Sequence, residues 1–138
     1  MSKDQIAQFI RDSFARQGLM QTFDARIDEI AHGRVTLSLP ITPEVGQQHG
    51  FAPAGASFAL GASAPRYAAL TMMEPGSEVL TVEMKINLIA PAKGKRLMAT
   101  GVVLRPGRRL IVVRATVAAE AAGTTTEVAL LQGTMIRA

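Results

Sequence analysis

The 138-residue chain has no cysteine and no tryptophan, and only five phenylalanines and one tyrosine. The lack of cysteine excludes disulfides, thiolate zinc sites and a cysteine nucleophile, and it is typical of a reducing compartment. Single-stranded nucleic acid is usually bound by stacking on aromatic side chains, so their scarcity argues against that partner. With only two histidines and no paired carboxylate spacing, we expect no metal site.

Long apolar runs without charge are also missing. The first segment, MSKDQIAQFIRDSF, carries Asp4 and Asp12 among its apolar residues, unlike the apolar core of a signal peptide. No stretch combines the length and the freedom from charge of a membrane span. We therefore expect a cytoplasmic protein with no membrane partner.

Positive charge is in excess, with a formal net charge of +4 and a sequence pI of about 10.1. This balance indicates either an anionic partner or a solvated basic surface. A phosphorylated small molecule fits the few aromatic residues better than nucleic acid does. A basic nucleic-acid-binding domain is a third hypothesis, to which the scarcity of aromatic residues is the main objection, and we expect no nucleic-acid partner. The length suits a single domain over residues 1–138.

The first forty residues predict a helix followed by a hairpin. Apolar residues recur at helical spacing over Lys3–Gln17, which predicts one amphipathic helix. Apolar and polar residues then alternate over Leu19–Ile30 and again over Arg34–Leu39. Two such runs separated by His32-Gly33 predict a β-hairpin.

A run of small, almost uncharged residues fills Gln47–Leu70, QQHGFAPAGASFALGASAPRYAAL. Such residues allow close approach of other backbone, so we predict a helix in the middle of the fold. Pro53 suits the first helical position, and Pro65 predicts a kink near Gly61 or a helix rebuilt after Ala64. Backbone N–H groups converge at the helix start, which favours negative or developing negative charge.

The second half of the chain predicts strands. Alternating runs over Glu78–Ala90, Leu97–Leu104, Arg109–Ala119 and Thr124–Arg137 are separated by short turns with proline or glycine. Short connections between long strands indicate an antiparallel meander with the helix across one face. The predicted fold class is therefore α+β.

Three stretches together resemble one protein family. They are the small-residue run, VLTVEMKINLIAPAKGKRL (Val79–Leu97) and VVLRPGRRLIVVRATV (Val102–Val117). They resemble the hot-dog acyl-CoA thioesterases of the phenylacetyl-CoA thioesterase type. The resemblance implies a hot-dog fold, in which an antiparallel sheet wraps a central helix. It also implies a homodimer, often paired into a homotetramer, with active sites between subunits and no cofactor beyond the coenzyme A of the substrate.

In that family a His-Gly-Gly or His-Ala-Gly triplet starts the helix, and a catalytic Asp or Glu follows within it. Ala54 and Gly55 match the last two members of the triplet. The resemblance implies that the Ala54 N–H polarises the thioester carbonyl. Pro53 stands in place of the histidine and Ala62 in place of the acid. Since alanine is neither base nor nucleophile, we expect at most weak activity by the usual route.

Other polar residues are candidates to replace the missing acid. Gln47 lies near a family position that helps hold the attacking water; the alternative is a loop amide satisfied by backbone. Thr81 matches a position that in relatives faces the partner's helix, and is a candidate water or substrate contact. Glu83, two residues along the strand, is predicted to share a face with Thr81 and to act as a substitute base. The alternative is a solvent-facing residue paired with Lys85 or Arg96.

The remaining polar candidates have more ordinary interpretations. His49 lies in the loop that leads into the small-residue helix, which we call the approach loop, and it either takes part in chemistry or braces this loop. His32 is predicted to be a solvated turn residue. Ser57 and Ser63 are predicted to pack the helix.

Basic residues flank two turns of the predicted meander: Lys93, Lys95, Arg96, Arg105, Arg108 and Arg109. The resemblance places coenzyme A phosphates near these segments, and guanidinium groups suit phosphate. Lys93, Arg96, Arg105 and Arg108 are the candidate contacts; simple solvation is the alternative.

The function predicted from the sequence is hydrolysis of a small or aryl acyl-CoA by a homo-oligomeric enzyme. The alternative is a non-catalytic acyl-CoA-binding or regulatory protein of the same fold that has lost the acid.

Overall fold

The computed structural model describes residues 2–46 and 50–138. Within them the helices are α1 (Lys3–Ala15), α2 (Gly18–Thr22) and α3 (Ala54–Leu70). None of these helices is long and apolar enough to cross a membrane. The strands are β1 (Arg26–Ala31), β2 (Arg34–Pro40), β3 (Phe51–Ala52), β4 (Val79–Leu88), β5 (Ala92–Lys93), β6 (Arg96–Pro106), β7 (Leu110–Ala121) and β8 (Thr124–Arg137).

The N-terminal helix forms as predicted, but the segment after it is not the start of a strand. Ser2 and Gln5 make reciprocal side-chain to backbone hydrogen bonds that cap α1. The strand predicted from Leu19 begins only at Arg26, because α2 occupies the first part of that segment. This short helix buries Met20 completely. Tertiary packing of one apolar side chain therefore overrides the alternating pattern.

Six strands form one antiparallel sheet in the order β1-β2-β6-β7-β8-β4. The hairpin predicted around His32 and Gly33 is confirmed, with Ala31 opposite Arg34. Strands β6, β7 and β8 form the predicted meander. The strand predicted over Glu78–Ala90 was expected beside β6, and this was wrong. It forms β4, which pairs with β8 at the far edge of the sheet. The free side of β4 has no strand partner among the described residues.

Helix α3 lies across one face of the sheet, which we call the inner face, and it approaches the strands closely. At Gly101 in β6, an added Cβ would lie 2.1 Å from the nitrogen of Pro65 and 2.4 Å from the carbonyl carbon of Ala64. The crossing therefore requires glycine. Helix α3 runs unbroken through Pro65. It does not end at Ala64 and begin again, which was one of the two predicted outcomes.

The core fills the space between α3 and the inner face. Leu60 and Tyr67 of the helix are fully buried, as are Leu97 and Val113 of the central strands. Burial of one such aliphatic side chain contributes about 1.5–3 kcal/mol. The residues that hold α3 in place are thus spread along its whole length, which fixes its first turn relative to the sheet.

Candidate active site

Helix α3 begins at the end of the predicted approach loop. Pro53 is its N-cap, with φ −71° and ψ 159°, one position before its predicted place. The Pro53 carbonyl accepts hydrogen bonds from Ala56 N at 3.0 Å and Ser57 N at 3.3 Å. Helix geometry leaves the N–H groups of Ala54 and Gly55 without intrahelical acceptors, and both residues are exposed. An oxygen that gains negative charge would be stabilised there.

A two-stranded pairing fixes this helix start against the segment that follows β4. Phe51 of β3 pairs with Lys93 of β5, and Ala52 pairs with Ala92. The approach loop and the Pro-Ala-Lys-Gly turn, which lie far apart in the sequence, are therefore adjacent.

A pocket of about 460 Å³, the helix-start pocket, lies between the start of α3 and the end of β4. The lining residues carry no charged side chain, and their main members are Phe51, Ser57, Leu88, Ile89, Pro91 and Val128. The sequence reasoning missed most of them. The available signal was the break in alternation at Leu88-Ile89, where two apolar residues follow each other.

Ala62 lies on a solvent-facing stripe of α3 that also includes Gly55, Phe58 and Arg66; we call these four residues the exposed stripe. The methyl group of Ala62 is half-buried and offers no acid–base chemistry. Ala62 follows Ala54 by eight residues, or about 12 Å along the helix axis. A side chain at 62 is therefore beyond reach of the Ala54 N–H in the same chain.

The predicted relation between Thr81 and Glu83 is wrong, because a β-bulge lies between them. Thr81 is opposite Met135, which is buried under α3, so Thr81 points to the inner face. Glu83 is opposite Thr134, the neighbouring residue of β8, and therefore points to the outer face. There Thr134 Oγ1 donates a hydrogen bond to Glu83 Oε1 at 2.8 Å. Glu83 is a solvent-facing residue, and its partner is a threonine rather than a cation.

One chain does not bring the predicted site residues together. Thr81 lies near the start of β4, whereas the helix-start pocket lies beyond its end at Leu88. Thr81 and Leu88 are seven positions apart along the strand, which corresponds to roughly 20 Å. Contact between Thr81 and a ligand at Ala54 thus requires a second chain.

The basic candidates fall into two groups at opposite ends of β6. Lys93 directly follows Ala92 of the helix-start pocket and Arg96 begins β6, whereas Arg105 and Arg108 lie near the turn into β7. About 30 Å of strand separates Arg96 from Arg105. The four side chains of one chain therefore cannot share one phosphate group.

Arg96 already lies beside two carboxylates. Its Nη1 is 3.7 Å from Asp28 Oδ2, and its Nη2 is 3.4 Å from Glu120 Oε2. These acids offset the charge that the guanidinium could offer to a phosphate. Lys93, which is exposed, is the better candidate of this group.

Gln47 and His49 lie outside the described residues, so their predicted roles stay predictions. His32 is exposed at the hairpin turn, as expected.

Ser63 packs α3 against the N-terminal helices, as predicted. Its Oγ accepts a hydrogen bond from Gln17 Nε2 at 3.2 Å, and Gln17 Oε1 accepts one from the Tyr67 hydroxyl at 2.6 Å. Burial raises the pKa of Tyr67, so the phenol stays a proton donor. The sequence reasoning missed this network because Gln17 is 46 residues from Ser63 along the chain.

The segment from the start of α3 into β8 carries a family signature. Residues 54–125 match the thioesterase superfamily. The chain belongs to this superfamily. A thioesterase family protein from Silicibacter pomeroyi is 43% identical, with a TM-score of 0.92 over 96% of this chain and 97% of that chain. The predicted thioesterase class is confirmed at the level of the family.

More distant solved structures share the same architecture. A variant of a thioesterase enzyme from Staphylococcus aureus subsp. aureus Mu50 is 27% identical, with a TM-score of 0.81 over 88% of this chain and 98% of that chain. The E. coli PaaI protein from the phenylacetic acid degradation operon is 18% identical, with a TM-score of 0.87 over 98% and 94%. A comparison with curated proteins gave no match. The thioesterase-superfamily chain thus has the predicted hot-dog fold, of class α+β.

Proposed function

We propose that this chain is a homodimeric, cytoplasmic hydrolase of small or aryl acyl-CoA thioesters with a slow chemical step. The proposal rests chiefly on the observation that the first turn of α3 opens into the helix-start pocket. A thioester carbonyl held there would accept a hydrogen bond from the Ala54 N–H, with Gly55 beside it, and the helix dipole would support the oxyanion. The apolar lining and the volume of about 460 Å³ suit a short aliphatic or aryl acyl group.

The edge strand supports a second copy of the chain. Three of its apolar side chains are more than half exposed, Leu80 at 57%, Val82 at 56% and Leu88 at 56%, and Phe58 of the exposed stripe is 39% exposed. An unpaired edge with such side chains favours association with another strand. A second copy that pairs through β4 covers the edge and faces the exposed stripe. Exposed leucines on the outer face, Leu110 among them, suit pairing of two dimers into a tetramer.

Symmetry determines which residues meet in such a dimer. A two-fold axis pairs β4 with β4 of the second copy in antiparallel direction, because the same patch serves on both sides. The start of one strand then lies beside the end of the other. Thr81 of the second copy comes to the helix-start pocket on the inner face, where its hydroxyl can hold water or substrate.

The same symmetry supports a binding region for coenzyme A. Lys93 flanks the pocket in its own chain, and the Arg105 and Arg108 end of the second copy comes to the same end of the paired strands. There Arg108, Arg109 and Arg137 line a pocket of about 460 Å³ that also includes Leu110 of the outer face. Guanidinium groups suit the phosphates of the nucleotide. Coenzyme A enters only as part of the substrate.

One observation favours the alternative of a non-catalytic acyl-CoA binder. Two positions among the described residues were considered for the catalytic acid, and neither places a carboxylate at the helix-start pocket. Ala62 has only a methyl group, and Glu83 points to the outer face. Carbonyl polarisation by backbone needs no acid, so ligand binding is retained in either case.

A panel of acetyl-, butyryl-, benzoyl- and phenylacetyl-CoA tests the proposal. We expect the wild type to bind at least one member, measured by calorimetry. Thiol release should be about 10² to 10⁴ slower than with general acid–base help. Ala90→Trp, which fills the helix-start pocket, is the control and should abolish binding. Binding without any hydrolysis would favour the alternative, and absence of both from a folded wild type would contradict the proposal.

Glu83→Gln should leave any thioester hydrolysis within about twofold of the wild-type rate, since charge on the far side of the sheet is screened by solvent. Thr81→Val, on the inner face, should lower the rate in the same assay. A fast wild-type reaction that Glu83→Gln abolishes would show that Glu83 is the base after all.

A further inference from the structure

Arg66 is the charged member of the exposed stripe, and its position is fixed from two sides. Its guanidinium lies over the Tyr67 ring, 5.3 Å from the centroid. Its Nη2 lies 2.6 Å from Glu78 Oε1, with the side chains 27% and 51% exposed, respectively. The arginine is thus the anchored partner, whereas the carboxylate is half in solvent.

This ion pair can exchange its anion. A guanidinium has five N–H donors, and among the described residues Glu78 contacts only Nη2. An exposed pair of this kind contributes little to stability, because water competes for both charges. Another carboxylate or a phosphate could therefore replace Glu78 while Arg66 stays on the Tyr67 ring.

Antiparallel pairing of β4 places this ion pair at the other copy's pocket. Glu78 directly precedes β4, and the helix-start pocket directly follows the end of β4. A two-fold pairing centred near the middle of β4 sets the first beside the second. Both features are on the inner face, the side that carries α3. Within one chain Arg66 is twelve residues from Ala54, about 18 Å along the helix, and too far to act.

We propose that Arg66 of one copy binds an anionic group of the thioester held in the helix-start pocket of the other copy. The inference rests on the dimer and the ligand class proposed above. The pocket lining supplies no charge of its own, so Arg66 adds the recognition of charge. The anionic group is either a carboxylate at the far end of the acyl group or a phosphate of coenzyme A.

The proposal predicts effects of opposite sign from the two members of the ion pair. Arg66→Gln removes the cation and should weaken binding of the anionic ligand about tenfold, as expected for a charge-assisted hydrogen bond. Glu78→Gln removes the competing internal anion and should tighten binding. If the pair only stabilised the fold, both variants would act in the same direction. Arg11→Gln, at an exposed position of α1, is the matched control and should change nothing.

Four ligands separate the two sources of the anion: pentanoyl-CoA, glutaryl-CoA and the pantetheine thioesters of the same two acids. Pentanoyl and glutaryl differ by the terminal carboxylate, and the pantetheine thioesters lack phosphate. If Arg66→Gln weakens the binding of the two glutaryl ligands only, the anionic group bound by Arg66 is the carboxylate of the acyl group. If the substitution weakens the binding of both coenzyme A ligands and of neither pantetheine ligand, the anionic group is a phosphate of coenzyme A.

Mixed dimers test whether Arg66 acts across the interface. Ala90→Trp has a filled pocket but keeps Arg66, and Arg66→Gln has an open pocket. If Arg66 acts between copies, a heterodimer of the two should have one site with wild-type affinity for glutaryl-CoA. Absence of that site, or unchanged binding in Arg66→Gln, overturns the inference while the proposed function stands. Absence of thioester binding by the wild type overturns both. Thermal melting of each variant confirms that it is folded.

Discussion

Ala62→Asp should raise thioester hydrolysis by about 10² to 10⁴, the range expected for general acid–base catalysis. Ala62 is half-buried on the exposed stripe, so a carboxylate fits there without displacing the core. Arg66 lies one turn further along α3, and an Asp to Arg pair at this spacing is favourable. The aspartate would therefore stay ionised and able to accept a proton from water.

The reason for a large effect lies in the rest of the site. The Ala54 N–H is backbone and is present whatever the side chain at 62. Across the proposed two-fold axis, the exposed stripe of one copy faces the start of α3 in the other. The substitution would thus add a base to a carbonyl site that already exists.

The measurement is thiol release from the best-bound member of the acyl-CoA panel, with the dissociation constant measured in parallel. Ala62→Asn is the control, since the amide has nearly the same shape but cannot act as a base. A rise in Ala62→Asp without a rise in Ala62→Asn supports a site that lacks only its acid. Equal rates in all three proteins, with binding intact, would contradict this account and favour a binding protein.

Features determined by neighbouring residues could be predicted from the sequence. The last strand occupies Thr124–Arg137, as its alternation indicates. The hairpin around His32-Gly33 and the start of α3 after Pro53 likewise follow from local turn and cap chemistry. These signals act over a few residues, so they need no knowledge of the partner element.

The bulge in β4 shows why the face of Glu83 could not be predicted. Leu80, Val82 and Met84 alternate without interruption, which hides the extra residue. Space for the bulge comes from Gly133 of β8, where an added Cβ would lie 2.5 Å from the Glu83 carbonyl oxygen. The deciding residue is thus about fifty positions away from the one it reorients.

Most of the remaining differences between the predicted and the observed structure arise from pairings between segments that lie far apart in the sequence. The position of β4 beside β8 and the pairing of Phe51 with Lys93 depend on how the chain crosses α3. For the same reason, the sequence could place basic residues at two turns but not show that the turns lie at opposite ends of β6. The candidate site was therefore predictable at the helix start and not at its far side.

Gly101→Ala should cause the largest loss of stability, about 3 kcal/mol in the free energy of unfolding. The new Cβ would lie 2.1 Å from the nitrogen of Pro65, and a backbone atom inside a helix cannot turn aside as a side chain can. Relief of the clash requires that α3 move away from β6. That shift would open the packing around fully buried side chains such as Leu60.

A graded series of three substitutions makes this prediction specific to the crossing point. At Gly61 the Cβ would meet side-chain atoms, Leu131 Cδ1 at 2.7 Å and Val117 Cγ2 at 2.9 Å, which can shift. Gly61→Ala should therefore cost about 1–2 kcal/mol, offset in part by better helix propensity. At Gly18 nothing lies within 4 Å, and Gly18→Ala should change stability by less than about 1 kcal/mol. Denaturant unfolding of the three variants should follow this order. Wild-type stability in Gly101→Ala would mean that α3 lies further from the sheet. The helix-start pocket, which α3 lines, would then have a different shape and volume.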